Sequence, residues 1–352
     1  MFPSETKLYI AIYRLLHNAA ACYFYGRRFA LKKRIHELDF IKGLAIILVV
    51  IGHAVSQVLN GDPDVYEENP VFRLIYSFHM PLFTFISGYI CRMTIKTDSC
   101  WLLKRIRQIG IPYILALLLW YVILRRSNIT DFLSPMAYWY LPFILIADTV
   151  LFFENKFRTK GALFGGVIVI SLLICKFERS QVDMAHHLSH CLIFYAAGSA
   201  APELKKRHGD KLLPIYCILT AGFAILTPLY GQGMDRQLRR LEVLFGSFSP
   251  GRALTGLIFI TNKFIVPLCG IGAVLLLTYS VYHVQHTGLF KAPVELIGRH
   301  TLFIYILHDL FFIKITKNSA LNCLIAIPAA VIIPLIISMI YGKIKSYLRL
   351  RQ

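Results

Sequence analysis

The sequence predicts an all-α polytopic membrane protein of about ten transmembrane helices with both termini in the cytosol, and three observations carry that prediction. Of the 352 residues, 57% are hydrophobic and 16% charged, with a mean hydropathy of +0.59. That is too apolar for an ordinary soluble domain. Apolar runs also recur along the whole chain at lengths that cross, or nearly cross, a hydrocarbon core of ~30 Å. Finally, the formal net charge of +19 and pI near 9.6 come from Lys and Arg lying in short loops between those runs. This is the pattern by which basic residues set membrane topology, and it argues against a nucleic-acid partner.

Taken in order, residues 7–25 are apolar but broken by Arg14 and His17, which predicts a helix lying at the interface. Tyr13, Arg14 and His17 interrupt what would be the apolar core of a signal peptide, so this segment is expected to be retained. Spans are expected at 40–59, 72–95, 108–124, 138–153, 161–177, 186–202, 212–230, 264–284, 300–317 and 321–342, the fourth and fifth being short. In this arrangement the segments assigned inside carry about twice as many Lys and Arg as those outside, which places both termini in the cytosol. The acidic loop 61–70 falls outside.

Residues 231–262 fit the pattern poorly, with Arg236, Arg239, Arg240 and Arg252 followed by an apolar stretch too short to span twice. We read a long outer loop with an amphipathic helix, the alternative being a re-entrant segment lining a cavity. No internal repeat or linker appears. One membrane domain therefore covers 38–342, between an N-terminal cytosolic or interfacial segment, 1–37, and a basic cytosolic tail, 343–352. The eight cysteines form no CxxC pair and mostly sit in or near apolar segments, so neither disulfides nor a zinc site are expected.

The chemistry centres on the stretch RIHELDFIKGLAIILVVIGH at 34–53, which carries Asp39, Lys42 and His53 into or beside an apolar run. Ionisable groups in hydrocarbon are costly and mark a site. Eleven residues separate Lys42 from His53, about three helical turns, which leaves both on one face ~16 Å apart. His79 enters from the opposite side to a depth comparable with His53, and Pro81 frees a carbonyl beside it. His308, followed by Asp309, lies shallower by the same counting. For His79 and His308 a packing role stands equally open.

Other candidates are more ambiguous. Lys104, Arg105 and Arg107 sit at the foot of the third span; positive-inside topology accounts for them, and guanidinium forks also suit phosphate. Asp148 reads as the partner of a loop cation. His186, His187 and His190 stand at the outer mouth of the sixth span without carboxylate or Cys partners, which favours interfacial or substrate contact over metal. Trp139 and Tyr140 are placed to stack on sugars or to pack at the membrane interface. No phosphate-cradling Gly-rich loop, GxSxG elbow or HExxH motif is present.

Five stretches in order carry a family resemblance: RIHELDFIKGLAIILVVIGH, FHMPLFTFISGY, the Lys104/Arg105/Arg107 cluster with Pro112 and Tyr113, YWYL at 138–141, and LIGRHTLFIYILH at 296–308. Together they resemble the acyltransferase family 3 of integral membrane O-acyltransferases, in its fucose 4-O-acetylase-like branch. The resemblance implies transfer of an acyl group, usually acetyl, from cytosolic acyl-CoA to a sugar hydroxyl of a surface glycan or its lipid-linked precursor, in a bacterial inner membrane. The family's spacing of a basic residue, ten residues and a histidine falls on Lys42 and His53, although Lys stands where Arg is usual. The paired-arginine motif is met only approximately, by Lys104 and Arg107.

On this resemblance His53 is the general base or a transient acyl carrier, with Asp39 orienting Lys42 or Arg34. Lys42, Arg34 and the Lys104–Arg107 cluster bind the phosphates of acetyl-CoA. His79 or His308 positions the acceptor or stabilises the oxyanion, and Trp139, Tyr140, His186 and His190 contact it. Acetyl-CoA is the expected donor, with no metal, and association of this chain with itself is left open. The competing class is a transporter or flippase for a glycan or lipid precursor, weakened by the lack of an inverted repeat.

Overall fold

A computed structural model describes residues 35–60, 68–123, 138–177, 183–231, 234–246, 251–283, 288–312 and 319–350. Arg34, the segment 7–25 and most of the acidic loop lie outside the described residues. Among those described, regular structure is helical throughout, with no strand. The helices are α1 His36–Ala54, α2 Pro70–Tyr76, α3 His79–Thr94, α4 Ser99–Ile123, α5 Tyr140–Phe157, α6 Ala162–Phe177, α7 Asp183–His208, α8 Leu213–Leu226, α9 Met234–Phe245, α10 Arg252–Ile260, α11 Val266–His283, α12 Gly288–Arg299, α13 Thr301–Leu307 and α14 Ser319–Leu350.

Every expected span carries a helix. Five helical stretches among the described residues are long and apolar enough to cross a membrane: His36–Gln57, Pro70–Thr94, His187–Leu229, Ala253–His283 and Ala320–Ile344. Ala162–Ile174 and Thr301–Phe311 are shorter apolar helices. The difficult region 231–262 resolves into two parts. α9 is strongly amphipathic, and its Arg240 pairs with Glu68. α10 runs through a π-helical turn, Thr261–Ile265, into α11, so the apolar stretch extends the next helix.

α1 lies at the centre, packed against α2, α3, α11, α12, α13 and α14. Its buried face includes Gly43, Ala45, Gly52 and Ala54, small residues that let neighbouring backbones approach. At the α1–α12 crossing a Cβ on Gly43 would stand 1.9 Å from the Val294 carbonyl oxygen, and one on Gly298 would stand 1.7 Å from that of Asp39. Only glycine permits this contact. α3 and α7 cross in the same manner at Gly88 and Gly198. The core between these helices is filled by Ile46, Val50, Leu82, Ile271 and Ile304.

The cysteines depart in one place from the expectation of no bridges. Cys91, Cys191, Cys217, Cys269 and Cys323 are free thiols, but Cys100 is disulfide-bonded. Pairing depends on approach in space, which sequence spacing does not report.

Candidate active site

The C-terminal end of α1, its outer end in the topology expected from the sequence, meets the end of α13. The rings of His53 and His308 stand 5.2 Å apart between centroids. His308 is almost fully buried, and its Nδ1–H donates to the Tyr305 carbonyl at 2.7 Å. That bond fixes the tautomer and leaves Nε2 as a lone pair. Nε2 has no hydrogen-bond partner, although the Asp309 carboxylate lies 3.5 Å away. Two acceptors facing each other cannot bond, so this nitrogen is arranged to receive a proton, after which Asp309 stabilises the imidazolium.

Gln57, one turn beyond His53, ties the group together. Its amide nitrogen lies 3.5 Å from His53 Nδ1 and 3.4 Å from Asp309 Oδ1. Tyr76 forms the other wall, 6.4 Å from the His53 ring and 4.7 Å from that of His79. Gly52 makes room for it, since a Cβ there would come within 2.9 Å of the Tyr76 ring. His79 is buried, with Nδ1 donating to the Ile75 carbonyl at 2.9 Å. It adjoins the His53–His308 pair through Tyr76. Phe312 closes the group, its ring 6.4 Å from His53 and 5.7 Å from His308.

Counting turns from the span start made His308 shallower than His53, and the glycine crossing shows why that fails. Gly298 already packs beside Gly43, about two turns into α1. Ten residues onward along each chain lie His308 and His53, a rise of ~15 Å in both. The two histidines therefore arrive level. Gln57, Tyr76 and Phe312 went unnoticed in the sequence, and Asp309 only as a neighbour of His308. The i+4 spacing of Gln57 from His53 was the available signal.

The inner end of α1 holds a different polar group. Asp39 pairs with Lys42 at 2.7 Å and faces Arg299 at 3.7 Å. Arg299 also approaches Glu295 at 3.6 Å, and Glu295 accepts from Tyr282 at 2.6 Å and from His36 at 2.7 Å. Burial raises the Glu295 carboxyl, but the hydrogen bonds from Tyr282 and His36 outweigh it and hold the group below the usual carboxylate range. Asp39 thus orients Lys42 as expected, about three turns or more from the histidines, and takes no place in their cluster.

The remaining candidates are dispersed. Arg105 is bound to the buried Asp148 at 2.5 Å, and Tyr195 donates to the other carboxylate oxygen, so its guanidinium is committed within the fold and not to a donor. Asp148 does pair with a cation, but that cation stands on α4 and not in a loop, since the helix begins at Ser99. Lys104 and Arg107 are exposed. Trp139 stacks on His187 at 3.6 Å. Tyr140 is tied to Ser87 at 2.6 Å and to the Phe83 carbonyl, a packing position beside Tyr305. His190 lies between Phe194 and Phe264. His186 falls on α7, and its side chain is outside the described set.

Among the described residues, His53, His308 and Asp309 offer ligand atoms within 4.8 Å of one another, the group that could hold a divalent metal. Two imidazoles and a carboxylate are also the groups that proton transfer uses. The apolar helices around them make this an integral membrane protein. The chain belongs to the family described as Acyltransferase domain, which matches residues 35–343.

Two curated relatives share part of it. The nodulation protein NolL of Sinorhizobium fredii (strain NBRC 101917 / NGR234) is 31% identical over 153 residues, 38% of this chain and 41% of that protein. NolL of Mesorhizobium japonicum (strain LMG 29417 / CECT 9101 / MAFF 303099) is 34% identical over 175 residues, 46% of each. The alignments thus span less than half the length of these relatives. No solved structure matches the chain at a significant level.

Proposed function

We propose that this chain is an integral membrane O-acyltransferase that moves an acetyl group from acyl-CoA to a hydroxyl of a sugar in a surface glycan or its lipid-linked precursor. The observation that carries the reading is the meeting of His53 and His308 beside Asp309 in a chain of the acyltransferase family. A sugar hydroxyl attacking a thioester must lose its proton as the bond forms, and a neutral imidazole is suited to take it. His53, the more accessible of the pair, takes that proton. It passes the proton to Nε2 of His308, fixed by the Tyr305 carbonyl, where Asp309 stabilises the imidazolium until the departing CoA thiolate takes the proton up.

In this reading 38–342 forms one domain crossing a bacterial inner membrane ten times with both termini cytosolic, which the distribution of Lys and Arg supports. The Cys100 bridge is the feature that runs against a cytosolic placement of its loop. Lys42, with Lys104 and Arg107, remains the candidate set for the donor's phosphates. The test is transfer of labelled acetyl from acetyl-CoA to isolated lipid-linked sugars by the protein in vesicles. Wild type should label the acceptor and folded His53→Ala should not; labelling at wild-type rate by His53→Ala sinks the assignment. A chelator should leave turnover unchanged. Loss restored by zinc would make the same three residues a metal centre.

A further inference from the structure

A cavity of about 1400 Å³ opens at the Asp39 end of the bundle, away from the histidines. It exceeds the ~300–1,000 Å³ usual for small-ligand pockets. Its depth is set by three helices that line it. On α3 the lining runs from Arg92 at the mouth to Leu82, ten residues deeper; on α11 it runs from Leu268 to His283; on α7 it runs from Ala196 to His208. These are ~15 to ~22 Å of helix, half or more of a ~30 Å hydrocarbon core. The deep walls are apolar, with Leu82, Phe85, Ile86, Ile271 and Leu275 among the lining. The cavity is therefore an apolar slot at least one leaflet deep.

Its mouth is basic in a particular way. Glu154 is buried, and its carboxylate accepts from Thr159 Oγ1 at 2.6 Å and from the backbone N–H of Gly161, Leu163 and Phe164 at 2.9, 2.8 and 3.1 Å. It thereby caps α6 and folds the loop back on itself. The turn that results holds Arg158 and Lys160 at φ of 53° and 50°, the non-glycine residues with positive φ among those described. Both line the cavity, and Arg92 reaches the same wall, bonded to Asn155. The other lining charges are largely paired: Glu37 with Lys205, and Glu203 with Arg207. Asp210 is the remaining carboxylate of the lining. Arg158 ends α5 as its left-handed C-cap, and the turn it opens presents both cations to the cavity.

We infer that this cavity is a binding site for a phosphate-headed membrane lipid, with the phosphate held by Arg92, Arg158 and Lys160 and the chain lying against Leu82, Phe85, Ile86 and Ile271. Cations at the mouth of an apolar slot at least one leaflet deep match an anionic lipid in charge and leave room for its chain. The inference does not depend on acyl transfer.

The test is native mass spectrometry of the detergent-solubilised protein with phosphatidylglycerol and phosphatidylcholine at equal mole fraction. Wild type should retain phosphatidylglycerol preferentially, and Arg158→Asn/Lys160→Asn should lower that preference about tenfold or more. Asparagine removes the charges but tolerates positive φ, so the loop keeps its shape. Arg92→Gln, on α3 and outside the loop, should weaken retention in the same direction if the double variant fails to fold. Equal retention of the two lipids by wild type overturns the proposal, as does a preference that survives in the variants. Binding of coenzyme A through these same cations, with no preference for the anionic lipid, assigns the cavity to the donor and overturns the lipid reading.

Discussion

The two ends of α1 carry similar numbers of ionisable groups and use them differently. At the inner end Asp39, Lys42, Arg299, Glu295, His36 and Tyr282 form a network in which opposite charges and hydrogen bonds meet. At the outer end His308 keeps a buried lone pair without a donor, beside a carboxylate that cannot supply one. A satisfied network rigidifies, whereas an unsatisfied buried group is costly and persists where chemistry uses it. The comparison separates a network that holds the helix in place, and positions Lys42 within it, from the group that moves the proton.

The largest effect expected from breaking this contrast is at His53. Removing the imidazole with His53→Ala should lower acetyl transfer by roughly 10²–10⁴-fold while leaving the thermal midpoint near that of wild type. Turnover and melting are measured on one preparation. A large drop in midpoint would make His53 a packing residue and erase the distinction between the two ends. The inner end should answer in the opposite sense. Gly298→Ala places a methyl 1.7 Å from the Asp39 carbonyl oxygen, so α12 must move off α1, at a cost of about 3 kcal/mol or less in overpacking. Its midpoint should fall clearly, and turnover should fall with it because His308 no longer arrives level with His53.

A smaller, sharper contrast compares two aspartates. Asp309→Asn keeps the shape but removes the charge that would stabilise the His308 imidazolium, and turnover should fall about tenfold or more with little change in melting. Asp39→Asn should lower the melting midpoint and leave turnover of the folded fraction nearly intact. The reverse pattern in either variant would show that the active group lies at the inner end.

Much of this arrangement was legible in the sequence. Hydropathy and length marked the helical character throughout, with five stretches among the described residues long and apolar enough to cross a membrane where ten spans were expected, and the Lys42–His53 spacing put both groups on the central helix. Asp148 was read as a partner for a loop cation, and it binds Arg105 on α4. What sequence periodicity could not report was the relative height of separate helices. His308 was placed too shallow because α12 lies alongside α1 before the apolar run begins, a fact fixed by Gly43 and Gly298 meeting across the crossing. Tyr76 and Gln57 are ordinary residues on their own helices and become part of a site only through what crosses them. Arg158 and Lys160 carry no local signal in the sequence beyond their charge. Their conformation depends on Glu154 reaching forward to cap the next helix, a contact outside any local pattern.

The smallest expected effect tests the claim that the inner network is structural, through its pH dependence. Burial alone would raise Glu295, but the hydrogen bonds from Tyr282 and His36 hold its folded pKa below the usual carboxylate range. A depressed folded pKa means that the ionised form is favoured by folding. Its contribution is present above the unfolded value, ~4.3, and is lost as pH falls through the folded pKa. Glu295→Gln retains a group that can accept from Tyr282 and loses the charge. Wild type should therefore melt higher than the variant by an amount worth about 1 kcal/mol from neutral pH down to about pH 5. Below about pH 4 the two curves should converge. Thermal melts of both proteins in one detergent across that range decide it. A gap that persists at low pH would mean the carboxylate acts through packing, and a gap that opens only at low pH would reverse the sign of the linkage.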